Sequence, residues 1–325
     1  MRHPAFRAAY FLAYQVDLAM ARRVDPHETL VVSGFWRSGT TWLQNGLAEI
    51  LRAKMVFEPF QNYNREMEPV YALAGTSLAE PLTNMFMPYV PAGAPADHPV
   101  FSLVEKALSS RLRHRYSRVY RPGLLDSFRP RVLVKFTRAA LSLRAIQDHF
   151  QVPVLHIRRD PRAVVASVIY KTNRMGGNFK DNFNLEKNLL GMSDGRADVF
   201  SAFAPQIRGF RGKPLAIRIA AYWALTERTL SDSYHGELPP RTRMIQYEAI
   251  APDPARIIPG LLQDLGYPEP DPKRLSVLDA NSKTTRGDQT RQEQLSGWKQ
   301  ILPSGESAEI AAIARDFGLG EALVD

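Results

Sequence analysis

Hydrophobic positions fall in short unbroken runs, each followed by apolar residues at helical spacing. The first run, "TLVVSGFW", closes on a glycine turn, and "TTWLQNGLAEILRA" behind it places Leu43, Leu47, Ile50 and Leu51 on one helical face. The pattern recurs at "RVLVKF" before "LSLRAIQDHF" and at "VPVLHIRRD" before "PRAVVASVIY", where Asp160 and Pro161 make an N-cap and a first-turn proline. Further on come a helix near Pro214 to Tyr234, a strand "TRMIQY" and a helix near Pro254 to Leu265. Four apolar strands alternating with helices predict an α/β fold with a parallel sheet covered on both faces.

Two stretches break the alternation. Residues 61–130 include the proline-rich "EPLTNMFMPYVPAGAPADHP", and residues 171–213 begin with the irregular "KTNRMGGNFKDNFNLEKNLLGMSDGRADVF". Insertions of this length in a compact domain are usually functional, and both are expected to wall an acceptor pocket. The whole chain, 1–325, is therefore expected to be a single domain with long loop insertions.

Composition narrows the function classes. With 45% apolar and 23% charged residues the chain reads as globular, and without cysteine it has neither disulfides nor thiolate chemistry, which favours a reducing compartment. A net charge of +9 suggests an anionic ligand, an anionic membrane surface or nucleic acid. No apolar run is long enough to span a bilayer. Residues 1–28 are expected to form an N-terminal helix packed on the domain; an interfacial contact of that helix with a membrane or glycolipid is the alternative. Its Arg7 and Asp17 argue against a signal peptide, and a cytoplasmic location is expected.

Candidate chemistry starts at "GFWRSGTTWL". Gly34 and Gly39 keep the glycine spacing of a nucleoside-triphosphate loop, but Thr40 stands where that loop has its phosphate-binding lysine, and the cation is Arg37. Backbone N–H groups with the Thr40 and Thr41 hydroxyls still suit a terminal anion. A nucleotide kinase or NTPase is the same-scaffold alternative. A basic module binding nucleotide or nucleic acid without catalysis is the other, although no nucleic-acid partner is expected.

The loop resembles the 5′-phosphosulfate loop of sulfotransferases that use 3′-phosphoadenosine 5′-phosphosulfate (PAPS). "HIRRDPRAVVAS" resembles that family's 3′-phosphate segment, with Arg159 at a strand end and Ser167 on the next helix. "MIQYEAIAPDP" resembles its Tyr-Glu strand end and puts Tyr247 beside the adenine. "RQEQLSGWKQ" resembles its C-terminal cofactor-covering loop, placed at 281–303, with Arg291 and Trp298 at the family's spacing and Gln292 and Glu293 departing from it. The resemblance implies a P-loop-NTPase-like sheet, sulfuryl transfer from PAPS to a hydroxyl, no metal, and cofactor contacts from Arg37, Ser38, Gly39, Thr40, Thr41, Trp42, Arg159, Ser167, Tyr247 and Arg291.

A base is also needed. The cytosolic branch carries a histidine two residues after a strand-end lysine; here the lysine is Lys135 and the later residue is Thr137. The tyrosylprotein and carbohydrate branch uses a glutamate after the first helix, and "MVFEPF" supplies Glu58. Glu58, Lys135 and Arg37 are thus the expected catalytic set, with partial burial expected to raise the Glu58 pKa. A carbohydrate, lipid-linked or small-molecule hydroxyl is the expected acceptor, with protein tyrosine as the alternative; oligomeric state is left open. His156 is expected to be a satisfied core residue.

Overall fold

The computed structural model describes residues 4–77, 85–118, 124–175, 183–280 and 290–324, with side chains given for these apart from 4–10, 124, 172–175, 291 and 292. Five strands form one sheet in the order β2-β3-β1-β4-β5, and every neighbouring pair is parallel. They are β1 (Leu30–Ser33), β2 (Ala53–Phe57), β3 (Arg131–Phe136), β4 (Val154–Arg158) and β5 (Thr242–Gln246). Four coincide with the strands expected from the apolar runs. β2 is additional: its Lys54 interrupts the apolar pattern, yet it is fully buried beside Asp17.

The helices are α1 (Pro4–Ala21), α2 (Thr40–Ile50), α3 (Glu68–Leu73), α4 (Pro99–Leu108), α5 (Leu143–Phe150), α6 (Pro161–Met175), α7 (Arg196–Phe200), α8 (Ala204–Gly209), α9 (Leu215–Ser233), α10 (Tyr247–Ile250), α11 (Pro254–Asp264), α12 (Arg291–Ser296) and α13 (Ser304–Asp316). One core cluster joins α2 and α11 to the sheet through Leu43, Leu47, Leu133, Leu155, Ile258 and Leu262. A second joins α4 and α5 through Val100, Val104, Leu108, Val134 and Ile146. Parallel strands need cover on both faces because neither face carries enough polar side chain to meet water.

Much of 61–130 has a structural task. α4 buries Val100, Phe101, Leu103, Val104, Ala107 and Leu108, a helical periodicity that the surrounding prolines hide in the sequence. The N-terminal helix is anchored by charge: Asp17 of α1 is buried, 2.6 Å from Arg118 Nε and 3.9 Å from Lys54 Nζ. A third cluster packs α6, α9 and α13 around Trp223 and Tyr222.

In this topology the chain leaves β1 toward β2 and β3 but returns on the far side of β1 as β4. Loops at the C-terminal ends of β1, β3 and β4 therefore diverge and open a crevice, the usual ligand position in an open parallel sheet.

Candidate active site

The crevice is floored by the turn between β1 and α2. Gly34 has no room for a side chain, since a Cβ there would stand 2.4 Å from the Ile157 carbonyl oxygen of β4. Gly39 takes φ +89° and faces the Tyr247 ring, which a Cβ would meet at 2.6 Å. Arg37 also lies in the left-handed region, at φ +74°. A non-glycine residue held there stores strain that the surrounding contacts must offset. The turn aims the start of α2, which has no side-chain cap, into the crevice. Its free N–H groups and the helix dipole favour an anion. The Ser38 hydroxyl is buried and makes no hydrogen bond among the described residues. An orphaned donor at an uncapped helix start fits a phosphate or sulfate oxygen.

Segments far apart in sequence meet around this turn. Arg37 Nε donates to Ser167 Oγ of α6 at 2.9 Å. The Arg159 guanidinium donates to the Arg37 carbonyl at 3.1 Å and to the Gln294 carbonyl of α12 at 2.6 Å, and lies 4.5 Å over the Tyr247 ring. The Tyr247 hydroxyl donates to Gln294 Oε1 at 3.1 Å, and Trp42 meets the same ring edge-on while its indole N–H donates to the Leu278 carbonyl. Gln294 carries no signal in the sequence beyond its position inside the "RQEQLSGWKQ" motif. The Arg291 side chain lies outside the described residues, as do residues 281–289 of the expected covering loop. Trp298 of that motif is buried, with the Arg162 guanidinium 4.1 Å over its ring.

At the opposite wall sits a buried ionic cluster. Glu58 follows β2 directly, at φ +47°, its N–H donating to the Lys135 carbonyl of β3. Lys135 Nζ is 2.9 Å from Glu58 Oε1 and donates to Thr41 Oγ1 at 3.0 Å, so one ammonium links the carboxylate to the anion turn. Arg138 Nη1 is 3.2 Å from Glu58 Oε2, and Thr137 donates to the carboxylate through both its hydroxyl and its N–H. Arg138 and the Thr137 contacts were not foreseen. Their signal was the run "KFTR" at the end of β3, where Lys135, Thr137 and Arg138 converge on one carboxylate as the chain leaves the strand.

This cluster corrects the expected acidity. Burial does push the Glu58 carboxyl upward, but Lys135, Arg138 and the Thr137 hydroxyl outweigh it and hold the group below its ordinary value. Lys135 is itself held below the usual lysine value, because burial and the nearby Arg138 and Arg37 exceed the pull of Glu58. Glu58 is therefore ionised at neutral pH, with both oxygens engaged.

Glu248 behaves oppositely. It is nearly buried, 3.9 Å from Arg159 Nε, and accepts a hydrogen bond from the Asp160 N–H, while Oε2 has no hydrogen-bond partner among the described residues; burial raises its pKa to about 7. A carboxyl raised on folding binds more protons folded than unfolded between its two pKa values. Stability from this group is thus present at low pH and lost as pH rises from about 4.5 to 7, by about 3 kcal/mol. Glu248→Gln should match the wild type at pH 5 and exceed it at pH 8 in chemical denaturation. Parallel pH profiles for the two proteins would contradict this.

His156 is buried as expected and contacts Glu227 through Nε2 at 3.0 Å, but it is only half satisfied, since its Nδ1 has no hydrogen-bond partner among the described residues. Arg158 also pairs with Glu227, and the cluster fastens β4 to α9.

A family model described as a sulfotransferase domain matches residues 27–310. Among solved structures the chain is similar to a sulfotransferase domain from the curacin biosynthetic pathway, at 17% identity and a TM-score of 0.47, covering 90% of this chain and 97% of that one. The sulfotransferase domain of the Synechococcus PCC 7002 olefin synthase is 16% identical with a TM-score of 0.42, covering 91% and 96%. Retinol dehydratase in a complex with retinol and PAP is 14% identical with a TM-score of 0.40, covering 93% and 85%. No curated protein matches.

Proposed function

The chain belongs to the sulfotransferase domain family, and on that premise we propose that it transfers a sulfuryl group from PAPS to an acceptor hydroxyl by in-line displacement. The observation that carries this reading is the meeting of the uncapped anion turn with Lys135 and Glu58 on one side and Arg159, Ser167 and Tyr247 on the other. When bound, PAPS supplies a sulfuryl group joined through an anhydride oxygen to a 5′-phosphate that can leave.

In this reading the α2 N–H groups and the Ser38, Thr40 and Thr41 hydroxyls hold the 5′ end. Arg159 and Ser167 hold the 3′-phosphate, since a guanidinium fork matches phosphate oxygens. Tyr247 and Trp42 supply the aromatic wall for the base. Arg291 is assigned to the 3′-phosphate by its motif position alone. Arg37 and Lys135 counter negative charge that develops on the transferred group and the leaving oxygen.

Glu58 receives the acceptor proton. Its Oε1 is engaged by Lys135 and Thr137, so this role requires Lys135 to shift along its existing contact with Thr41 toward the anion turn. That shift removes a cation from the carboxylate and raises its basicity when an acceptor is to be deprotonated. Thr137 and Arg138 keep the carboxylate oriented throughout.

A kinase or NTPase on the same scaffold is disfavoured by Thr40 at the position of the phosphate-binding lysine. The product nucleotide 3′-phosphoadenosine 5′-phosphate (PAP) should raise the melting temperature by several degrees at a hundredfold excess over its Kd, a stabilisation of about 2.7 kcal/mol. Magnesium-ATP should raise it far less. An equal or larger shift with magnesium-ATP would favour the kinase reading.

A further inference from the structure

The outward face of α1 is apolar where a packed surface helix is normally polar. Phe11 is 63% exposed and Leu12 53%, and the other exposed positions of the described part of α1 are Gln15 and Ala19. Its one acidic residue, Asp17, points inward to Lys54 and Arg118. Arg22 and Arg23 lie in the turn that follows α1, and both are exposed.

A second apolar pair stands on the element that α1 packs against, the 3-10 turn Leu124–Phe128. There Leu125 is 81% exposed and Phe128 52%. Beside them opens a groove of about 560 Å³ lined by Leu51, Arg52, Leu125, Phe128, Arg129 and Arg131, among others. Arg129 is paired with Glu49 and Asp126, which neutralises the acidic groups of the groove. Arg22, Arg23, Arg52 and Arg131 make no ion pair among the described residues. Single exposed apolar residues are ordinary; two pairs on adjoining elements, bordered by unpaired arginines, mark an interaction site.

We propose that α1 and the Leu124–Phe128 turn dock this protein on an anionic bilayer surface, with Phe11, Leu12, Leu125 and Phe128 entering the interface and Arg22, Arg23, Arg52 and Arg131 meeting lipid phosphates. The charge complementarity favours a lipid surface, because exposed large apolar side chains and arginines without an acidic partner among the described residues occur together on these elements. No helix among the described residues is long and apolar enough to cross a membrane, so α1 lies in the interface. The groove beside Leu125 and Phe128 borders the N-terminal ends of β2 and β3, the end of the sheet opposite the crevice.

The test is co-sedimentation of the full chain with phosphatidylcholine vesicles, with and without about one-third phosphatidylglycerol. The wild type should partition onto the anionic vesicles and less so at high salt. A Phe11→Ser, Leu12→Ser, Leu125→Ser variant and an Arg22→Glu, Arg23→Glu variant should each lose about tenfold in partition, with unchanged melting temperatures. These positions are exposed, so folding should tolerate the changes. Absence of wild-type partition, equal partition onto neutral vesicles, or variants that bind like the wild type would overturn the proposal. So would a wild-type dimer in ultracentrifugation that the apolar variant abolishes, because a second copy would then cover the patch.

Discussion

Exchange of Glu58 for glutamine is expected to lower turnover about a hundredfold or more, as loss of a general base commonly does, while PAP binds as well as to the wild type or slightly better. Glutamine keeps the shape and two of the contacts but accepts no proton. Its neutral amide also releases Lys135, whose ammonium then has only the anion turn to serve. The same change removes the carboxylate charge that faces buried Lys135 and Arg138, a loss on the order of 3–5 kcal/mol. Turnover must therefore be scored per folded molecule, below the variant's own melting transition.

The pH behaviour follows from the depressed Glu58 pKa. A carboxylate whose pKa falls on folding stabilises the protein above its unfolded pKa and loses that contribution as pH drops through the folded value. Wild-type stability should consequently fall on the acid side, below about pH 4, and the glutamine variant should lack that part of the fall. Undiminished turnover of folded Glu58→Gln would remove Glu58 from the chemistry and leave it a structural counter-ion for Lys135 and Arg138.

Arg159→Ala carries the second large effect. Its guanidinium holds the Arg37 carbonyl, the Gln294 carbonyl and the Tyr247 ring, so it ties three motifs together where the 3′-phosphate is proposed to bind. A charge-assisted hydrogen bond is worth about 1.5–3 kcal/mol, and losing a fork of them should cost PAP about a hundredfold or more in affinity. Adenosine 5′-phosphate, which has nothing for Arg159 to grip, should lose little. Equal losses for both nucleotides would mean that Arg159 only shapes the turn.

Much of this fold was legible because buried parallel strands are apolar on both faces. β1, β3 and β4 stand out for that reason, and β5 for its "TRMIQY" run between helices. β2 was not legible, since Lys54 marks it as polar until Asp17, from a helix more than thirty residues earlier, is seen to accompany it. α4 was hidden by its proline-rich setting, though it is as much core as any helix foreseen.

The turn between β1 and α2 was readable from glycine spacing, because Gly34 and Gly39 are fixed by steric demands that a sequence displays. Motif order foresaw that Arg159, Ser167 and Tyr247 belong with it, but not that Ser167 faces Arg37. The charge state of Glu58 was misjudged because it depends on where Lys135 and Arg138 point, which periodicity does not encode. Arg138, Gln294 and Glu248 escaped for a similar reason: each acts through one long-range contact made only in the folded chain.

The most direct test of the account is calorimetric titration of PAP and of adenosine 5′-phosphate into the wild type and Arg159→Ala. Tight wild-type binding of PAP, much weaker binding of adenosine 5′-phosphate, and collapse of that difference in the variant are expected. Wild-type affinities that are alike for the two nucleotides would contradict it, because the crevice would then have no site for the 3′-phosphate.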